Sequence, residues 1–420
     1  MAVVGGIIGG GIFRTPATVA ERLRSPGLVL LAWVIGGLVA LIGAFCFGEL
    51  GQRRPRAGGG YVYLRETFGP LLAFLYGWTL VLVIATGAIA AVSVTFADYM
   101  LALAGLPHRF SAPLAVAAIV FLSGINYLGV RPAAITQNIF TILKLAALAV
   151  LIAVGILLAA PSPPSAAAGP AGSVAALGGA LVPVMFTYGG WQQTNFIAEE
   201  IIEPEKNLPR ALVLGVAIAI AVYLLTNLAY LRVLGVDGLA ASTAPAADTM
   251  ERLLGPTGGK LIAAGIAIST FGFLNLVILV TPRVLQAMAA DGVFFRRLAV
   301  LHPVYQTPTA ATIALALFAA VLTLTGTFRQ LVDYVTFGDW LFFASVVATL
   351  YVYRARDRGV RPAFAVPGYP VTPAVFVLVS LYIVVSAVTS SPRNSAISAG
   401  LIALGIPVFF YWRSRRREIG

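Results

Sequence analysis

Long apolar stretches fill most of this chain and alternate with short polar connections. Most of them reach the ~20 residues that a helix needs to cross a bilayer. We therefore predict an all-α integral membrane protein with twelve transmembrane helices. The predicted spans are residues 1–24, 28–51, 70–99, 112–130, 136–160, 176–201, 210–232, 259–288, 308–326, 331–353, 369–389 and 396–412. The longest connections, 161–175 and 233–258, are too short for a soluble domain.

Glycine interrupts the first and the sixth predicted spans. The first contains GGIIGGGIF at residues 5–13, and the sixth contains FTYGGW at residues 186–191. Glycine is a poor helix former, and unwound backbone is tolerated at bilayer depth only where it lines an enclosed cavity. Taken alone, the first cluster fits close helix packing equally well. The polar run QQTN at 192–195 favours a cavity, and paired broken helices indicate the binding site of a secondary transporter.

A broken helix exposes free N–H groups at one end of the break and free carbonyls at the other. The carboxylate and ammonium of an α-amino acid match these two ends. No acidic side chain lies in mid-span beside either break, so carbonyls are expected to receive the ammonium. This pattern favours a neutral amino acid over a dication, which would require an additional carboxylate.

The composition is that of a membrane protein, with 59% hydrophobic and 10% charged residues. The net charge of +12 does not indicate nucleic-acid binding, because most of the basic residues lie in the connections on one side of the membrane. With an inside N-terminus, 18 of the 28 Lys and Arg residues fall in inside segments and eight in outside segments. This positive-inside bias predicts that both termini are cytoplasmic and that anionic lipid headgroups are favoured.

Few residues could support catalysis or metal binding. The only cysteine, Cys46, lies within the second span, and His108 and His302 lie in loops. The sequence contains no HExxH motif, catalytic carboxylate pair or His-Ser pair, so we predict neither an enzyme, nor a metal site, nor a cofactor. The chain begins inside its first helix, so we expect either that the natural protein carries a longer N-terminal segment or that the start site is misassigned.

Six motifs follow one another along the chain: GGIIGGGIFRTP at 5–16, PRAGGGYVY at 55–63, QNIFTILK at 137–144, FTYGGW at 186–191, NFIAEEI at 195–201 and EPEKNLPR at 203–210. They resemble the amino acid–polyamine–organocation superfamily, and the last five of them in particular its L-type amino acid transporter branch. The resemblance runs in order from residue 5 to about 412, and the 186–210 block is its most specific part.

The resemblance implies the five-plus-five inverted repeat of the leucine-transporter-type fold, with helices 1 and 6 broken and two extra helices. The repeats are expected at 1–160 and 176–354, separated by an extracellular loop at 161–175 and followed by the last two helices and a basic tail at 355–420. The substrate would contact backbone groups of Ile7, Gly9, Gly10, Gly11, Phe186 and Gly189. The Phe186 side chain would close over it as a gate, although an ordinary core aromatic is the alternative.

Lys144 is the only lysine that we expect to be buried in a predicted span, since Lys260 lies at the very start of the span 259–288. Gln137, Thr141 and Lys144 recur at i, i+4 and i+7, so they share a helix face that we expect to point away from lipid. The resemblance implies that Lys144 takes the place of a sodium ion, bridging carbonyls of the first helix to hydroxyls of the eighth span. Ser269 and Thr270 are the candidate hydroxyls. A snorkelling lysine and a proton carrier are the alternatives.

Further gate candidates lie at the ends of two spans. Glu199 or Glu200 is expected to pair with Arg53, Arg54 or Arg56 at an inner gate, although a solvated helix end is the alternative. In the tenth span, Phe337, Asp339 and Trp340 are candidates to bound the site, and packing would explain both aromatics equally well.

We conclude that the sequence predicts a sodium-independent permease or exchanger of neutral L-amino acids that works by alternating access. A cationic amino acid or polyamine antiporter and a non-transporting amino acid sensor are the alternatives. The loop at 100–111 contains no cysteine, so no covalent heavy-chain partner is expected. The arginine-rich composition suggests a bacterial source, and hence the inner membrane.

Overall fold

A computed structural model describes residues 1–158, 174–325, 328–359 and 362–419. All regular structure in these residues is helical. Nine helices of the described ranges are long and apolar enough to cross a membrane, and Thr309–Thr325 is a shorter apolar helix. The two interrupted helices near the N-terminus and the middle of the chain complete the twelve predicted spans.

We number the spans 1 to 12 in chain order, and spans 1 and 6 each consist of two helical segments. Their bounds are Ala2–Ile7 and Thr15–Leu23 (span 1), Pro26–Arg53 (2), Pro70–Ala104 (3), Ser111–Tyr127 (4), Val130–Leu157 (5), Val174–Tyr188 and Trp191–Glu200 (6), Pro204–Ala241 (7), Pro245–Ala290 (8), Thr309–Thr325 (9), Phe328–Arg356 (10), Val371–Ser390 (11) and Pro392–Ile419 (12). A short helix, Gly60–Phe68, connects spans 2 and 3.

Two connections differ from the sequence-based prediction. Of the predicted loop 161–175, residues 161–173 lie outside the described part of the chain, and residues 174 and 175 belong to the first helix of span 6. The segment 233–258, expected as an irregular connection, is mostly helical, with breaks at Gly235 and Gly255 where φ is 71° and 67°. Glycine adopts these left-handed angles without strain, so the chain turns there between short helices.

Span 5 begins six residues earlier than predicted. Gly129, at φ 123°, ends the preceding turn, and the helix starts at Val130. Pro132 lies in the first turn, where its missing N–H removes no helical hydrogen bond. Lys144 therefore lies at the middle of a 28-residue helix, about 20 Å from either end. That depth is too great for its ammonium to reach a membrane surface.

Buried aromatic side chains join the spans that surround the two breaks. The rings of Trp33 (span 2), Tyr188 (span 6) and Tyr223 (span 7) lie 5.0–5.7 Å apart, with interplanar angles between 56° and 80°. Tilted and edge-to-face pairs of this kind are favoured by the ring quadrupoles. The cluster fixes spans 2, 6 and 7 against one another behind the interrupted helices.

At the arginine-rich end of the bundle, a buried carboxylate joins three parts of the chain. Glu49, at the end of span 2, is 0% exposed. Its oxygens accept hydrogen bonds from Arg53 at 2.9 Å, from Arg354 of span 10 at 2.9 and 2.5 Å, and from the Val366 N–H at 2.7 Å. We call these four groups the Glu49 cluster. It ties span 2 to span 10 and to the segment that precedes span 11.

The short helix Gly60–Phe68 is attached to the same end. Glu66 accepts hydrogen bonds from Arg54 at 3.0 Å and from the Tyr353 hydroxyl at 3.1 Å. Tyr61 donates to Asp291, at the end of span 8, over 2.7 Å. Burial, together with this hydrogen bond to Asp291, raises the pKa of Tyr61, so its hydroxyl stays a donor throughout the physiological pH range.

Replacing Glu49 by Gln is expected to destabilise the protein. The substitution leaves two arginines facing a neutral amide in a buried position, and removing one partner of a buried ion pair costs about 3–5 kcal/mol. The melting temperature of the detergent-solubilised variant, followed by size-exclusion chromatography after heating, should fall well below that of the wild type. Glu205→Gln, at an exposed glutamate in the first turn of span 7, is the matched control. An unchanged melting temperature in Glu49→Gln would show that the Glu49 cluster does not hold this end together.

Candidate functional site

A pocket lies where the two interrupted helices meet. The space between its atoms, including the part that is open to solvent, is about 480 Å³, and spans 1, 3, 6, 8 and 10 contribute to its wall. All six residues predicted to bind substrate lie in this lining. The lining residues are Ile7, Gly9, Gly10, Gly11, Ile84, Ala88, Val92, Phe186, Thr187, Gly189, Gly190, Gln193, Phe273, Val335 and Asp339.

Both breaks occur at the glycines that the sequence indicated. In span 1 the α-helix ends at Ile7, a 3₁₀ turn follows at Gly11–Phe13, and the α-helix resumes at Thr15. In span 6 the α-helix ends at Tyr188, and Gly190 has φ 103°. This angle is in the region that glycine adopts readily and other residues rarely adopt, so the chain changes direction there before the 3₁₀ segment Trp191–Glu200.

The two breaks are in direct backbone contact. A Cβ atom added to Gly190 would overlap the Gly6 carbonyl, and one added to Gly6 would lie 2.9 Å from the Gly190 oxygen. A Cβ on Gly11 would approach the Thr187 hydroxyl at 2.7 Å. Gly6 and Gly190 therefore admit only glycine as long as the backbones keep this separation, and Gly11 does so as long as the Thr187 side chain keeps its position. By contrast, a Cβ on Gly10 would lie 3.4 Å from the nearest atom, a Thr270 methyl group, which is ordinary van der Waals contact.

The ammonium of Lys144 contacts carbonyls that the break in span 1 leaves without helical partners. Its Nζ donates to the Ile8 carbonyl at 2.6 Å and to the Gly5 carbonyl at 3.0 Å. Lys144, Gln137 and Thr141 are all buried, which confirms that their shared face points away from lipid. Lys144 is thus held in the membrane by carbonyl dipoles, the groups that would otherwise be unsatisfied there.

Of the two hydroxyls expected beside Lys144, one reaches span 1. Ser269 lies 3.4 Å from the Ile8 carbonyl and 3.3 Å from the Gly9 carbonyl. Thr270 instead bonds to the Ile266 and Ala267 carbonyls of its own helix, at 2.9 Å each. The expectation for Thr270 was wrong because its hydroxyl is engaged by carbonyls of its own helix, so that its methyl group, and not its hydroxyl, lies beside Gly10 of span 1.

Tyr223 of span 7 was missed by the sequence analysis. Its hydroxyl lies 2.8 Å from the Ile7 carbonyl and 3.1 Å from the Thr187 carbonyl, so it bridges the upstream halves of both broken helices. A tyrosine in an apolar span has no local sequence pattern that sets it apart from a core aromatic. Only the three-dimensional convergence of spans 1, 6 and 7 reveals its role.

Not every predicted backbone contact is free for a ligand in this conformation. The Gly9 N–H, expected to bind a carboxylate, donates to the Ile7 carbonyl at 2.9 Å. The Phe186 carbonyl accepts from the Gly189 N–H at 3.1 Å. A carbonyl oxygen has two lone pairs and retains one for a ligand, whereas the Gly9 N–H would have to exchange its partner.

The inner-gate pairing differs from the prediction. Glu200 pairs with Arg283 of span 8 at 3.0 Å, and not with Arg53, Arg54 or Arg56. Those arginines are occupied by nearer carboxylates: Arg53 by Glu49, and Arg54 and Arg56 by Glu66. Glu199 is exposed, as expected of a solvated helix end. Glu49, which the sequence analysis did not single out, is the fully buried carboxylate at this end of the bundle.

In span 10 the pocket is lined by Val335 and Asp339. Residues four apart share a helix face, which excludes the other two candidates from the lining. Trp340 packs against Phe343 and Phe376, with ring centroids 5.4 and 5.8 Å away, and Phe337 is buried. A carboxylate therefore faces the pocket, although the sequence shows none beside the two breaks.

Comparison with known proteins agrees with this architecture. The family model described as "Amino acid permease" matches residues 1–411. The chain is 31% identical to the mouse b(0,+)-type amino acid transporter 1, over 97% of this chain and 85% of that protein. It is 33% identical to the mouse Asc-type amino acid transporter 1 and 32% identical to the mouse large neutral amino acids transporter small subunit 2. Each of these two alignments covers 98% of this chain and 80% of the relative.

The relatives are transporters by name, and the match spans the described helices from the first break to span 12. The fold, the broken helices and the sequence similarity therefore lead to one assignment, which is to a family of membrane transporters and not of enzymes. The chain belongs to the amino acid permease family of the amino acid–polyamine–organocation superfamily, among relatives of the L-type amino acid transporters.

Proposed function

We propose that this chain is a sodium-independent permease or exchanger of neutral L-amino acids that works by alternating access. The observation that carries the proposal is the pocket between the two breaks, whose lining includes Ile7 and the side-chain-free backbone of Gly9, Gly10, Gly11 and Gly189. An α-amino acid always presents the same carboxylate and ammonium, whatever its side chain. Recognition by backbone groups therefore suits a transporter that accepts several side chains.

In this proposal the substrate carboxylate binds N–H groups of the glycine run in span 1, at the positive end of the downstream half-helix. The ammonium binds the carbonyls of Ile7, Phe186 and Gly189, at the negative end of the upstream halves. Phe186, which lines the pocket, closes over the bound substrate. When the substrate binds, the Gly9 N–H donates to the substrate carboxylate in place of the Ile7 carbonyl, and this carbonyl can then accept from the substrate ammonium.

Lys144 supplies the positive charge that a sodium ion would otherwise bring to span 1. Its contacts with the Gly5 and Ile8 carbonyls support this role, because alkali cations bind carbonyl oxygens in the same way. A charge fixed to span 5 needs no ion gradient. We therefore propose that transport is driven by the amino acid gradients alone.

We further propose that the arginine-rich end is cytoplasmic, that both termini lie on that side, and that the protein resides in a bacterial inner membrane. The segments 1–160 and 176–354 would be the two repeats that move relative to each other. The single cysteine, Cys46, is buried in span 2, which supports the absence of a covalent heavy-chain partner.

Counterflow of labelled amino acids into liposomes that contain the purified protein tests the proposal as a whole.

Competition by substrate analogues should depend on the carboxylate of the amino acid. Leucine amide lacks the carboxylate, and 3-methylbutylamine is leucine without its carboxyl group. Both should inhibit labelled leucine counterflow much more weakly than leucine, because each removes the group that the span 1 N–H groups bind. Competition by the amine at the same concentration as leucine would refute recognition of the carboxylate.

Gly11→Val should reduce counterflow to the level of empty liposomes. The added Cβ would lie 2.7–3.1 Å from three atoms of Thr187, so the two breaks would have to separate, and β-branched side chains also fill the carboxylate site. The matched control is Gly124→Val, at a helical glycine of span 4 where a Cβ would meet no atom within 4 Å. Wild-type flux in Gly11→Val, at equal protein incorporation, would contradict the role given to the first break.

Lys144→Ala should abolish counterflow although the protein still inserts and elutes as a monodisperse species. The variant leaves the Gly5 and Ile8 carbonyls without their cation, so the break in span 1 loses its shape. Wild-type flux should be the same in sodium and in choline buffers. Lys260→Ala, at an exposed lysine of span 8, is the control. A sodium requirement in the wild type, or normal flux in Lys144→Ala, would overturn the role of Lys144.

A further inference from the structure

Asp339 is the one ionisable side chain among the fifteen residues that line the pocket. It lies one helical turn after Val335 in span 10 and is partly accessible from the pocket. Within the described part of the chain, no hydrogen bond or ion pair engages its carboxylate. A carboxylate at membrane depth is costly unless a cation or hydrogen-bond donor compensates it, so a partner is expected to come from the pocket.

The position of Asp339 indicates which part of a substrate it would meet. The glycine breaks form one wall of the pocket and, in the proposed function, bind the amino and carboxyl groups. The remaining wall comes from spans 3, 8 and 10. Its other members are aliphatic or aromatic: Ile84, Ala88, Val92, Phe273 and Val335. A substrate side chain therefore meets apolar groups first, and a single carboxylate among them.

No basic side chain of the described residues lies in this lining to pair with Asp339 in place of a substrate cation. Lys144, the lysine of span 5, is held by the Gly5 and Ile8 carbonyls behind the first break. The described lining residues include neither lysine, arginine nor histidine. An ammonium or guanidinium at the end of an aliphatic substrate side chain would satisfy both features of the wall, since methylene groups suit its apolar part and the cation suits Asp339.

We propose that Asp339 is a specificity-determining residue that binds the cationic side chain of a substrate, so that the substrate range includes L-amino acids such as lysine and arginine. This inference rests on the proposed function, because it uses the backbone of the two breaks to orient the amino acid. It extends the substrate class from neutral to basic amino acids. The carboxylate and the substrate cation form an ion pair inside the pocket, so that neither charge is left unpaired at membrane depth.

The experiment compares substrates that differ only at the charged group. Norleucine has the four-carbon side chain of lysine without its ammonium, and citrulline replaces the guanidinium of arginine by a neutral urea group. Counterflow of labelled lysine and norleucine is measured with the wild type and with Asp339→Asn, which keeps the size of the side chain and removes its charge. The KM for lysine should rise at least about tenfold in Asp339→Asn, equivalent to about 1.4 kcal/mol, and the KM for norleucine should change little. Arginine and citrulline should repeat this difference.

Each other outcome has a defined meaning. If the wild type carries norleucine but neither transports lysine nor is inhibited by it, the inference is wrong and the proposed function stands. If the wild type carries no amino acid, the proposed function itself fails. Equal losses for lysine and norleucine in Asp339→Asn would show a general positioning role and would overturn the inference.

A folding defect in Asp339→Asn would not obscure the result. The lysine and norleucine comparison in the wild type already decides whether the pocket favours a cationic side chain. Asp339→Glu provides a second variant, which keeps the charge and adds one methylene group. It should transport lysine better than Asp339→Asn at equal incorporation, and the reverse order would contradict an ion pair with the substrate.

Discussion

The contact between the Lys144 ammonium and the carbonyls of Gly5 and Ile8 is the interaction on which the site depends. A helix that unwinds inside a bilayer leaves carbonyls with no water to bind, and each unsatisfied group costs several kcal/mol. Here the orphan carbonyls of span 1 have named donors: Lys144 for Gly5 and Ile8, and the Tyr223 hydroxyl and the Gly9 N–H for Ile7. The break is stable because its polar groups are paired by spans 5 and 7.

This arrangement separates two tasks in the pocket. In the proposed function, backbone groups at the breaks bind the part that all α-amino acids share, and side chains of spans 3, 8 and 10, which also line the pocket, face the part that differs between them. A substitution in the second wall changes which side chain fits without disturbing the broken helices. If Asp339 acts as proposed, a few positions in this wall are enough to set the substrate range.

Periodicity and composition predicted a large part of the fold and of the site. The apolar stretches located the twelve spans, the glycine clusters located both breaks, and the i, i+4, i+7 spacing of Gln137, Thr141 and Lys144 identified a buried polar face. These features are local, so a sequence shows them directly. The start of span 5 and the helical segments around Gly235 and Gly255 were missed, because short amphipathic or alanine-rich helices leave little hydrophobic contrast with a loop.

The features that sequence reasoning missed or misassigned depend on contacts between distant segments. Glu200 bonds Arg283, because the arginines near residue 54 already lie beside Glu49 and Glu66. Which of Phe337, Asp339 and Trp340 faces the pocket depends on the rotation of span 10 about its axis, and a continuous apolar helix does not reveal that angle. Tyr223 acquires its two carbonyl partners only because spans 1 and 6 cross beside span 7.

The backbone contact between Gly6 and Gly190 has a mechanical consequence. Where two helices cross through interlocked side chains, tilting one against the other forces those side chains to change rotamer or climb over each other. At this crossing neither residue has a side chain to interlock. The crossing can therefore act as a fulcrum, at which spans 1 and 6 change their angle with little steric resistance. A tilt of a few degrees there displaces the far end of a span by ångströms, since a half-helix of ten residues is a lever of about 15 Å.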